Sequence, residues 1–194
     1  MIKHFFFDLD DTLTPSRSPM KPEHIPVFVE LCKKRDVIVV SGAKESQIRA
    51  QIPTEARFYM ESQNGNHTID NEGTVLWSEH FSPEQERAIT AFAQSLRSES
   101  NLPVKDENDL IEYRGSQVSF SFIGHHEELA KKRVFDPDAS LRTSKLKEHA
   151  ADVDRLRNIG VEVVAGGTTC LDFYLLGHHK GFNVRRLIDS QGWR

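Results

Sequence analysis

The chain has 194 residues, of which 38% are hydrophobic and 28% are charged, and its formal net charge is −4 at pH 7. This composition is typical of a soluble globular protein with one sizeable core or two small domains. The negative net charge excludes a general electrostatic attraction to nucleic acid or to an anionic membrane. An anionic substrate would therefore have to be bound by local groups.

The cysteines and the N-terminal residues predict where the protein resides. Cys32 and Cys170 have no metal-like spacing, which favours a reduced compartment and argues against a structural disulfide. The chain enters an apolar strand directly, without a charged leader, a long apolar segment or a cleavage site. These features argue against secretion and membrane insertion, and we expect a cytoplasmic protein.

The first eighty residues alternate between strands and helices, as in a parallel sheet with helical crossovers. The apolar run before Asp8 predicts a strand that is buried on both faces. The elements predicted after it are a helix that ends near Lys34, a strand at Val37–Val40, a helix at Lys44–Gln51, a short strand at Arg57–Met60 and a hairpin at His67–Trp77.

The pattern changes near Phe81. A capped helix beginning at Ser82, two strands joined at Gly115, a helical region over Asp138–Asn158 and two strands around Ala165–Gly167 predict a separate α+β layer. A last helix runs from about Phe182 to Ser190. We therefore predict a parallel-sheet core formed by residues 1–80 and 176–194, with a second domain, residues 81–175, inserted into it.

Two carboxylates, Asp8 and Asp10, stand where the first strand ends. Ligands of open α/β sheets bind beyond the carboxyl ends of the strands. Paired acids at such a position can hold Mg²⁺, and one of them can attack phosphorus as a nucleophile. A capping cluster is the alternative, since Asp and Thr are common in turns. We favour the site because three packed carboxylates, with Asp11 as the third, would repel one another without a cation.

The ordered motifs resemble the haloacid dehalogenase superfamily of phosphotransferases, in the branch with a type IIB cap. The resemblance depends on Asp8-Leu9-Asp10-Asp11-Thr12, on Ser41-Gly42 and on Lys180-Gly181. The likeness is greatest to the eukaryotic-type phosphomannomutases, and it depends on four further segments that follow in the same order: Thr14–Arg17, Gln63–Gly65, Ile111–Gly115 and Gly166–Phe173. The resemblance implies a three-layer Rossmannoid core with an inserted cap of an antiparallel sheet and two helices.

The resemblance also implies roles for individual residues. Asp8 would be the nucleophile, and Asp10 would be the acid/base whose backbone carbonyl binds Mg²⁺ together with the Asp8 carboxylate. Ser41 and Lys180 would hold the transferring phosphoryl oxygens. The substrate-binding residues that the resemblance implies are Arg17, Gly42, Asn64, Arg114 and Asp172. Asn64 and Asp172 could instead satisfy turn or strand hydrogen bonds, and the adjacent pairs at His125-His126 and His178-His179 are interpreted as surface residues.

The chain departs from the mutases in its cap. The segment before Ile111 lacks an arginine that those enzymes carry, and His125 stands where they have another. Each charge-assisted contact contributes about 1.5–3 kcal/mol. A mutase must grip a sugar bisphosphate in both orientations, whereas a hydrolase of a monophosphate needs no such clamp. We therefore rank a phosphatase above a mutase.

The family's fourth motif, which carries a further acid for the Mg²⁺ site, is absent. Its strand pairs with the first strand in the family, so we expect an exposed apolar edge at Phe5–Phe7 and a C-terminally shortened chain. The predicted function is a Mg²⁺-dependent phosphohydrolase of a sugar phosphate or similar small ester. A phosphomannomutase-like phosphotransferase and a catalytically impaired phosphate-binding protein are the alternatives. The predicted partner is a small phosphate ester. The oligomeric state stays open, although the mutases that the chain resembles form dimers through their caps.

Overall fold

The computed structural model describes residues 3–193. Within them, the chain divides into two compact units, with divisions after His80 and after Gly177. We call residues up to His80 together with the segment from His178 onward the core unit, and we call Phe81–Gly177 the cap unit. The divisions fall within two residues of the domain limits predicted from the sequence.

The core unit contains a five-stranded sheet in the order β1-β2-β3-β4-β5. β1 to β3 are parallel, while β4 and β5 continue the sheet as an antiparallel hairpin. Its elements in chain order are β1 (His4–Asp8), α1 (Ile25–Lys34), β2 (Asp36–Val40), α2 (Glu45–Gln51), β3 (Tyr59–Ser62), β4 (His67–Ile69), β5 (Val75–Ser78) and α7 (Lys180–Ser190). This arrangement confirms the predicted α/β class.

Two apolar layers sandwich the core sheet because β2 alternates its side chains between the two faces. Val37 and Val39 face one cluster, which includes Phe28 of α1 and Ile48 of α2. Ile38 and Val40 face the other cluster, which includes Leu187 of α7. β-Branched residues throughout β2 suit this strand, which is covered on both faces.

β1 is less buried than the sequence pattern predicts. Its residues are half-buried, and Asp8 at its end is exposed. Among residues 3–193, β1 pairs only with β2 and so forms an edge of the sheet. The prediction of a strand buried on both faces was wrong, because an apolar run does not reveal whether a strand is central or at an edge. The edge position agrees with the edge expected at Phe5–Phe7 from the absence of the fourth motif, although these residues are half-buried rather than exposed.

The cap unit contains a four-stranded antiparallel sheet in the order β6-β7-β9-β8. Its elements are α3 (Pro83–Glu99), β6 (Ile111–Tyr113), β7 (Gln117–Ser121), α4 (Leu129–Phe135), α5 (Ser140–Glu148), α6 (Ala150–Asn158), β8 (Val161–Gly166) and β9 (Cys170–Leu175). α3 begins with a capping box in which Ser82 and Gln85 exchange hydrogen bonds. Both predicted strand pairs are present.

One face of the cap sheet packs on helices and the other is polar. Val118, Phe120, Leu171 and Phe173 belong to an apolar cluster with Phe92 of α3 and with α6. The intervening residues of the same strands therefore lie on the opposite face. We call that opposite face the polar cap face, and its residues from β6, β7 and β9 are Glu112, Gln117, Ser119, Ser121, Cys170, Asp172 and Tyr174.

The cap helices differ from prediction in two places. The single helical region predicted at Asp138–Asn158 is two helices, which meet at His149. α4 was not predicted, because it buries none of its residues and so has no apolar stripe in the sequence. None of the helices within residues 3–193 is both long enough and apolar enough to cross a membrane.

Candidate active site

The core site begins where β1 leaves the sheet. The Oδ1 atom of Asp8 accepts a hydrogen bond of 2.8 Å from the Leu9 backbone amide. The carbonyl of the fully buried Leu9 accepts hydrogen bonds from the amides of Leu13 and Thr14, each 3.0 Å long. The Thr14 hydroxyl donates to Gln51 of α2 at 2.7 Å. A buried residue and a helix thus fix the loop that carries the acids.

The second acid and the first candidate arginine occupy the same loop. The Arg17 backbone amide donates to Oδ1 of Asp10 at 2.8 Å. Arg17 itself has a φ of +51°, and Asp11 has a φ of +56°, both in the left-handed region that non-glycine residues rarely adopt. Such backbone strain concentrates at functional sites, where the surrounding structure compensates for it.

Lys180 lies next to Asp8 although the two residues are 172 positions apart in the chain. Its Nζ atom donates to Oδ2 of Asp8 at 2.9 Å. Both side chains are partly open to solvent, with exposed fractions of 41% for Lys180 and 51% for Asp8. The edge of the sheet thus presents an accessible carboxylate beside an accessible ammonium group.

α7 carries Lys180 at its first residue, and the segment after β3 anchors this helix. The Asn183 side-chain amide donates to the Asn64 carbonyl at 2.9 Å and to the Asn66 side-chain oxygen at 3.1 Å. The imidazole of His179 caps the helix by accepting from the Phe182 amide. These contacts fix the start of α7 and hence the lysine.

Ser41 and Asn64 meet at the adjacent strand ends. Ser41 is buried at the end of β2, and its carbonyl accepts a hydrogen bond of 2.8 Å from the Asn64 amide. The Ser41 Oγ atom accepts from the Ala43 amide across Gly42 at 3.1 Å, which leaves its hydroxyl hydrogen to donate elsewhere. Asn64 has a φ of +59°. The core unit therefore holds Asp8, Asp10, Arg17, Ser41, Gly42, Asn64 and Lys180.

The two acids suit a hard cation. Carboxylate oxygens are ligands that Mg²⁺ prefers, and proteins often bind this ion through one or two carboxylates completed by water and substrate phosphate. Within residues 3–193, no group of three or more His, Cys, Asp or Glu side chains is placed to hold a metal. The carboxylates of Asp8 and Asp10 are donors of the kind that Mg²⁺ accepts.

Arg114 and Asp172 belong to the polar cap face or adjoin it. The Arg114 guanidinium donates to Glu112 at 2.6 Å, and its side chain is 9% exposed. Burial alone would lower the pKa of Arg114, but the hydrogen bond and charge of Glu112, with the charge of Asp172, raise it. Asp172 accepts hydrogen bonds from the hydroxyls of Ser119 at 2.6 Å and Tyr174 at 3.3 Å.

Two features of the cap were missed from the sequence. His125 is buried, with 4% of its surface exposed, so the interpretation as a surface residue was wrong. Its Nε2 atom contacts the Ser119 carbonyl at 3.1 Å. Arg142 is fully buried and donates to Asp136 and to the carbonyls of Gly166 and Gly167. An arginine in a polar helix gives no sequence signal for burial, and only the fold reveals it.

Comparison with known proteins identifies the family. Residues 5–194 match the family model of the haloacid dehalogenase-like hydrolases. A probable phosphomannomutase of Caenorhabditis elegans is 25% identical over 94% of this chain and 75% of the relative. A phosphomannomutase of Schizosaccharomyces pombe is 23% identical over 96% of this chain and 76% of the relative.

Solved structures agree on the fold. A haloacid dehalogenase-like hydrolase from B. subtilis superposes with a TM-score of 0.68 and 16% identity, covering 100% of this chain and 80% of that protein. A phosphatase of the same superfamily from Bacteroides thetaiotaomicron gives a TM-score of 0.61 and 14% identity, covering 100% and 74%. The chain belongs to the haloacid dehalogenase-like hydrolases, a family of phosphatase and phosphotransferase enzymes, and it is similar in sequence to phosphomannomutases.

Proposed function

We propose that this protein is a Mg²⁺-dependent phosphohydrolase that acts on a sugar phosphate, or a similar small phosphate ester, through an aspartyl-phosphate intermediate. The observation that carries the proposal is the 2.9 Å contact between the Lys180 ammonium and the Asp8 carboxylate at the end of a parallel strand. A carboxylate that attacks a phosphate dianion needs positive charge nearby, because the two anions otherwise repel each other.

The residues of the core unit divide the reaction between them. An Asp8 oxygen attacks phosphorus, the ester oxygen departs, and Asp10 gives that oxygen a proton. Asp10 then takes a proton from the water that attacks the aspartyl phosphate and releases inorganic phosphate. Lys180 and the Ser41 hydroxyl stabilise the transferring oxygens, where negative charge must be neutralised in the transition state. Arg17, Gly42 and Asn64 border the substrate in this proposal.

Mg²⁺ would be held by the carboxylates of Asp8 and Asp10 and by the Asp10 backbone carbonyl. When bound, the ion supplies positive charge to the phosphoryl oxygens and so reduces their repulsion of the nucleophile. The backbone amide of Arg17 already fixes Asp10, and Leu9 fixes Asp8, so the two acids are oriented by the chain itself. We also propose a cytoplasmic location, with which the free thiols of Cys32 and Cys170 agree.

The charge of the cap favours hydrolysis over mutase chemistry. Arg114 is paired with Glu112 at 2.6 Å and lies close enough to Asp172 for that carboxylate to raise its pKa. A second phosphate would compete with these carboxylates for the guanidinium. The hydroxyls of a sugar would instead fit a face that mixes donors and acceptors, such as Arg114 and Asp172.

Phosphomannomutase activity is the second candidate, and the names of the relatives favour it. The two functions differ in their products. A hydrolase releases inorganic phosphate from a panel of sugar phosphates, whereas a mutase converts mannose 1-phosphate to the 6-phosphate without net release and requires a sugar bisphosphate. Binding of phosphate without turnover of any ester would instead indicate a catalytically impaired phosphate-binding protein.

Asp8→Asn tests the proposal directly. We expect Mg²⁺-dependent phosphate release to fall by about 10³-fold or more, because the nucleophile is lost. Labelled phosphate should attach to wild-type protein and not to this variant. Asp11→Asn is the matched control, since Asp11 is exposed and, among the described hydrogen bonds, its carboxylate accepts only one, from the Ser16 amide at 3.3 Å. Equal loss of activity in both variants, or full activity without Asp8, would contradict the mechanism.

A further inference from the structure

The polar cap face holds a thiol and an imidazole that the proposed mechanism does not use. Cys170 begins β9, and its partners across the sheet are Ser121 of β7 and Gly166 of β8. The Cys170 thiol also lies 3.4 Å from the Thr169 hydroxyl. His125 lies in the segment after β7. Its imidazole contacts the Ser119 carbonyl at 3.1 Å and lies 3.9 Å from the Glu112 carboxylate, so it shares the polar cap face with Cys170, although the two residues are 45 positions apart in the chain.

The environment of His125 fixes which ring nitrogen can accept a proton. A carbonyl oxygen only accepts, so the contact of Nε2 with the Ser119 carbonyl places the hydrogen on Nε2. In the neutral ring, Nδ1 is then the acceptor. Nδ1 is buried and has no nitrogen or oxygen atom within hydrogen-bond distance among the residues the structure describes. A buried proton acceptor without a nitrogen or oxygen partner therefore lies on the same polar cap face as the Cys170 thiol.

The loop around His125 is fixed rather than loose. The His125 backbone amide donates to the Asp109 carbonyl at 3.1 Å, and the His126 amide donates to the Asp109 carboxylate at 2.8 Å. Gly124 has a φ of +100°, and a Cβ atom there would lie 2.7 Å from that carboxylate. The positive φ at Gly124 favours glycine, and the two amide hydrogen bonds to Asp109 hold the backbone that carries His125.

The pKa values of the two groups agree with proton transfer between them. Burial alone would raise the pKa of Cys170, as would the Asp172 carboxylate, but the hydrogen bond and charge of His125 and the Thr169 hydroxyl lower it overall. Burial alone would lower the pKa of His125, and the hydrogen bond and charge of Cys170 raise it. Cys32 of α1 differs, because burial raises its pKa to about 11.

Other charged groups lie around the pair. The Lys132 ammonium of α4 donates to the His125 carbonyl at 2.8 Å. β6 contributes Glu112, whose carboxylate lies 3.9 Å from Nδ1 of His125, and Arg114 follows that strand. β9 contributes Asp172. The Arg142 guanidinium donates to the Cys170 carbonyl at 3.2 Å and so holds the start of β9. A proton on His125 is therefore stabilised by Glu112 as well as by the thiolate.

We propose that Cys170 and His125 form a thiolate–imidazolium pair and that Cys170 is a site of covalent modification by small hydroperoxides and alkylating electrophiles. Nδ1 of His125 takes the thiol proton, and the thiolate attacks the terminal oxygen of a hydroperoxide. The sulfur–oxygen bond forms as the oxygen–oxygen bond breaks, so sulfur is oxidised to a sulfenic acid and the peroxide is reduced. The departing alkoxide or hydroxide takes the proton from His125.

Modification at this position also has a consequence for turnover, and this part depends on the proposed function. Cys170 lies two residues before Asp172 on the same face, and Asp172 interacts with Arg114. An added oxygen or alkyl group would alter the surface that we propose contacts the substrate. We therefore expect the modified protein to bind its ester more weakly.

Alkylation by iodoacetamide tests the pair, with Cys32 as a control within the same molecule. Peptide mapping by mass spectrometry should show Cys170 reacting at least tenfold faster than Cys32 at pH 7. The alkylation rate of Cys170, plotted against pH, should have its inflection below the usual thiol value of about 8.5. Hydrogen peroxide followed by a sulfenic acid trap should label Cys170 selectively. A rate at Cys170 no greater than that at Cys32 overturns the proposal.

His125→Asn distinguishes activation of the Cys170 thiol by the imidazole from simple solvent exposure of the thiol. The asparagine amide can still donate to the Ser119 carbonyl, but it cannot accept the thiol proton. We expect at least tenfold slower alkylation of Cys170 and loss of the low-pH rate increase, while circular dichroism remains unchanged. An unchanged rate overturns the proposal. If that variant does not fold, the pH profile of the wild-type protein decides, because an inflection at or above 8.5 also overturns it.

The effect on turnover is measured separately. Alkylation should raise KM for the ester in the Cys32→Ser protein and leave a Cys170→Ser protein unaffected. If no sugar phosphate is hydrolysed by any form, the proposed function fails while the mass data on Cys170 still decide the reactivity. If turnover is present and alkylation of Cys170 leaves KM unchanged, the regulatory part is wrong.

Discussion

The core unit and the cap unit each contain an ionisable side chain with no exposed surface, Glu61 and Arg142. The Glu61 carboxyl lacks hydrogen-bond partners among the described residues, whereas the Arg142 guanidinium is paired. Glu61 in the core sheet is 0% exposed, and neither of its carboxylate oxygens has a hydrogen-bond partner among the described residues. Burial raises its pKa to about 8, so it is uncharged at neutral pH. Arg142 in the cap is also 0% exposed, but the Asp136 carboxylate and several carbonyls accept hydrogen bonds from its guanidinium.

The difference extends to the functional groups of each unit. The core presents Asp8 and Lys180 with about half of each side chain open to solvent, whereas the cap holds Arg114 and His125 within polar contacts. An open ion pair can exchange partners with an incoming phosphate at little cost. Breaking a buried ion pair is costly, so a buried and paired group does not readily exchange its partner for a ligand. The cap therefore contributes preorganised polar contacts and not a charge that is available to bind phosphate.

Removing the buried arginine tests the cap side of this comparison and should have the largest effect on stability. Arg142→Met leaves Asp136 buried without its charged partner and removes the guanidinium donor from four carbonyls. We expect a loss of about 3–5 kcal/mol in the free energy of unfolding of the cap, measured by urea denaturation.

Lys145→Met on the same helix is the control. The Lys145–Glu148 pair at 2.6 Å is partly exposed and screened by water, so its loss should lower the free energy of unfolding much less than the loss of Arg142. Equal losses in the two variants would show that burial does not distinguish the two charges.

Replacing the buried carboxyl tests the core side. The folded pKa of Glu61, about 8, exceeds its ordinary value of 4.5, so the folded state binds more protons between these values. Stability from this group is fully present below pH 4.5 and is lost as the pH rises towards 8. Glu61→Gln should remove this dependence. Between pH 4.5 and 8, the free energy of unfolding of the variant should therefore rise relative to that of the wild type by up to about 1.4 kcal/mol for each unit of increasing pH.

Denaturation at pH 5, 6.5 and 8 measures this slope. Glu30→Gln provides the comparison, because its hydrogen bond with Lys33 lowers the pKa of Glu30 and leaves no titration in that range. A difference between wild type and Glu61→Gln that stays constant with pH would mean that Glu61 is charged in the folded protein.

Gly65→Ala tests how α7 is held against the segment after β3. Gly65 has a φ of +87°, and a Cβ atom there would lie 2.4 Å from the Cβ atom of Asn183. We expect a loss of about 1–3 kcal/mol together with reduced phosphate release, because α7 carries Lys180.

Gly73→Ala isolates the backbone contribution. Gly73 has a φ of +92° but no atom within 4 Å of an added Cβ. Its loss should be about 1 kcal/mol and should leave phosphate release unchanged. If both variants lose equal stability and activity, the close approach to Asn183 has no role in positioning the lysine.

The smallest expected effect concerns a local feature of the cap. Ser82→Ala removes one half of the capping box at the start of α3 and should cost about 1 kcal/mol, measured by thermal denaturation. Ser98→Ala in the last turn of the same helix removes only a hydrogen bond to the Ser95 carbonyl and should cost less. A greater loss of stability in Ser98→Ala than in Ser82→Ala would contradict the assignment of Ser82 as the N-cap of α3.

Much of the architecture could be predicted from local patterns. The alternation of strands and helices, the capping box at Ser82 and the turn around Gly73 are local, so the sequence specifies them directly. α4 could not be predicted, since it buries nothing. The edge position of β1 depends on which strands pair with it, and its own apolar residues do not report that.

The sequence also indicated the chemistry of the site but not its neighbours. The position of the acids just after β1 predicted a ligand site, and the resemblance singled out Lys180. Only the tertiary structure brings the Lys180 ammonium to 2.9 Å from the Asp8 carboxylate. The burial of Glu61, of Arg142 and of His125 beside Cys170 has no local signature.

By itself, the sequence determined the elements and their order, because propensity, capping and apolar periodicity act over a few residues. The tertiary structure decided which ionisable groups are neutral, paired or reactive. Those properties depend on solvent exclusion and on partners supplied by distant segments, such as Asp172 for Arg114 and His125 for Cys170.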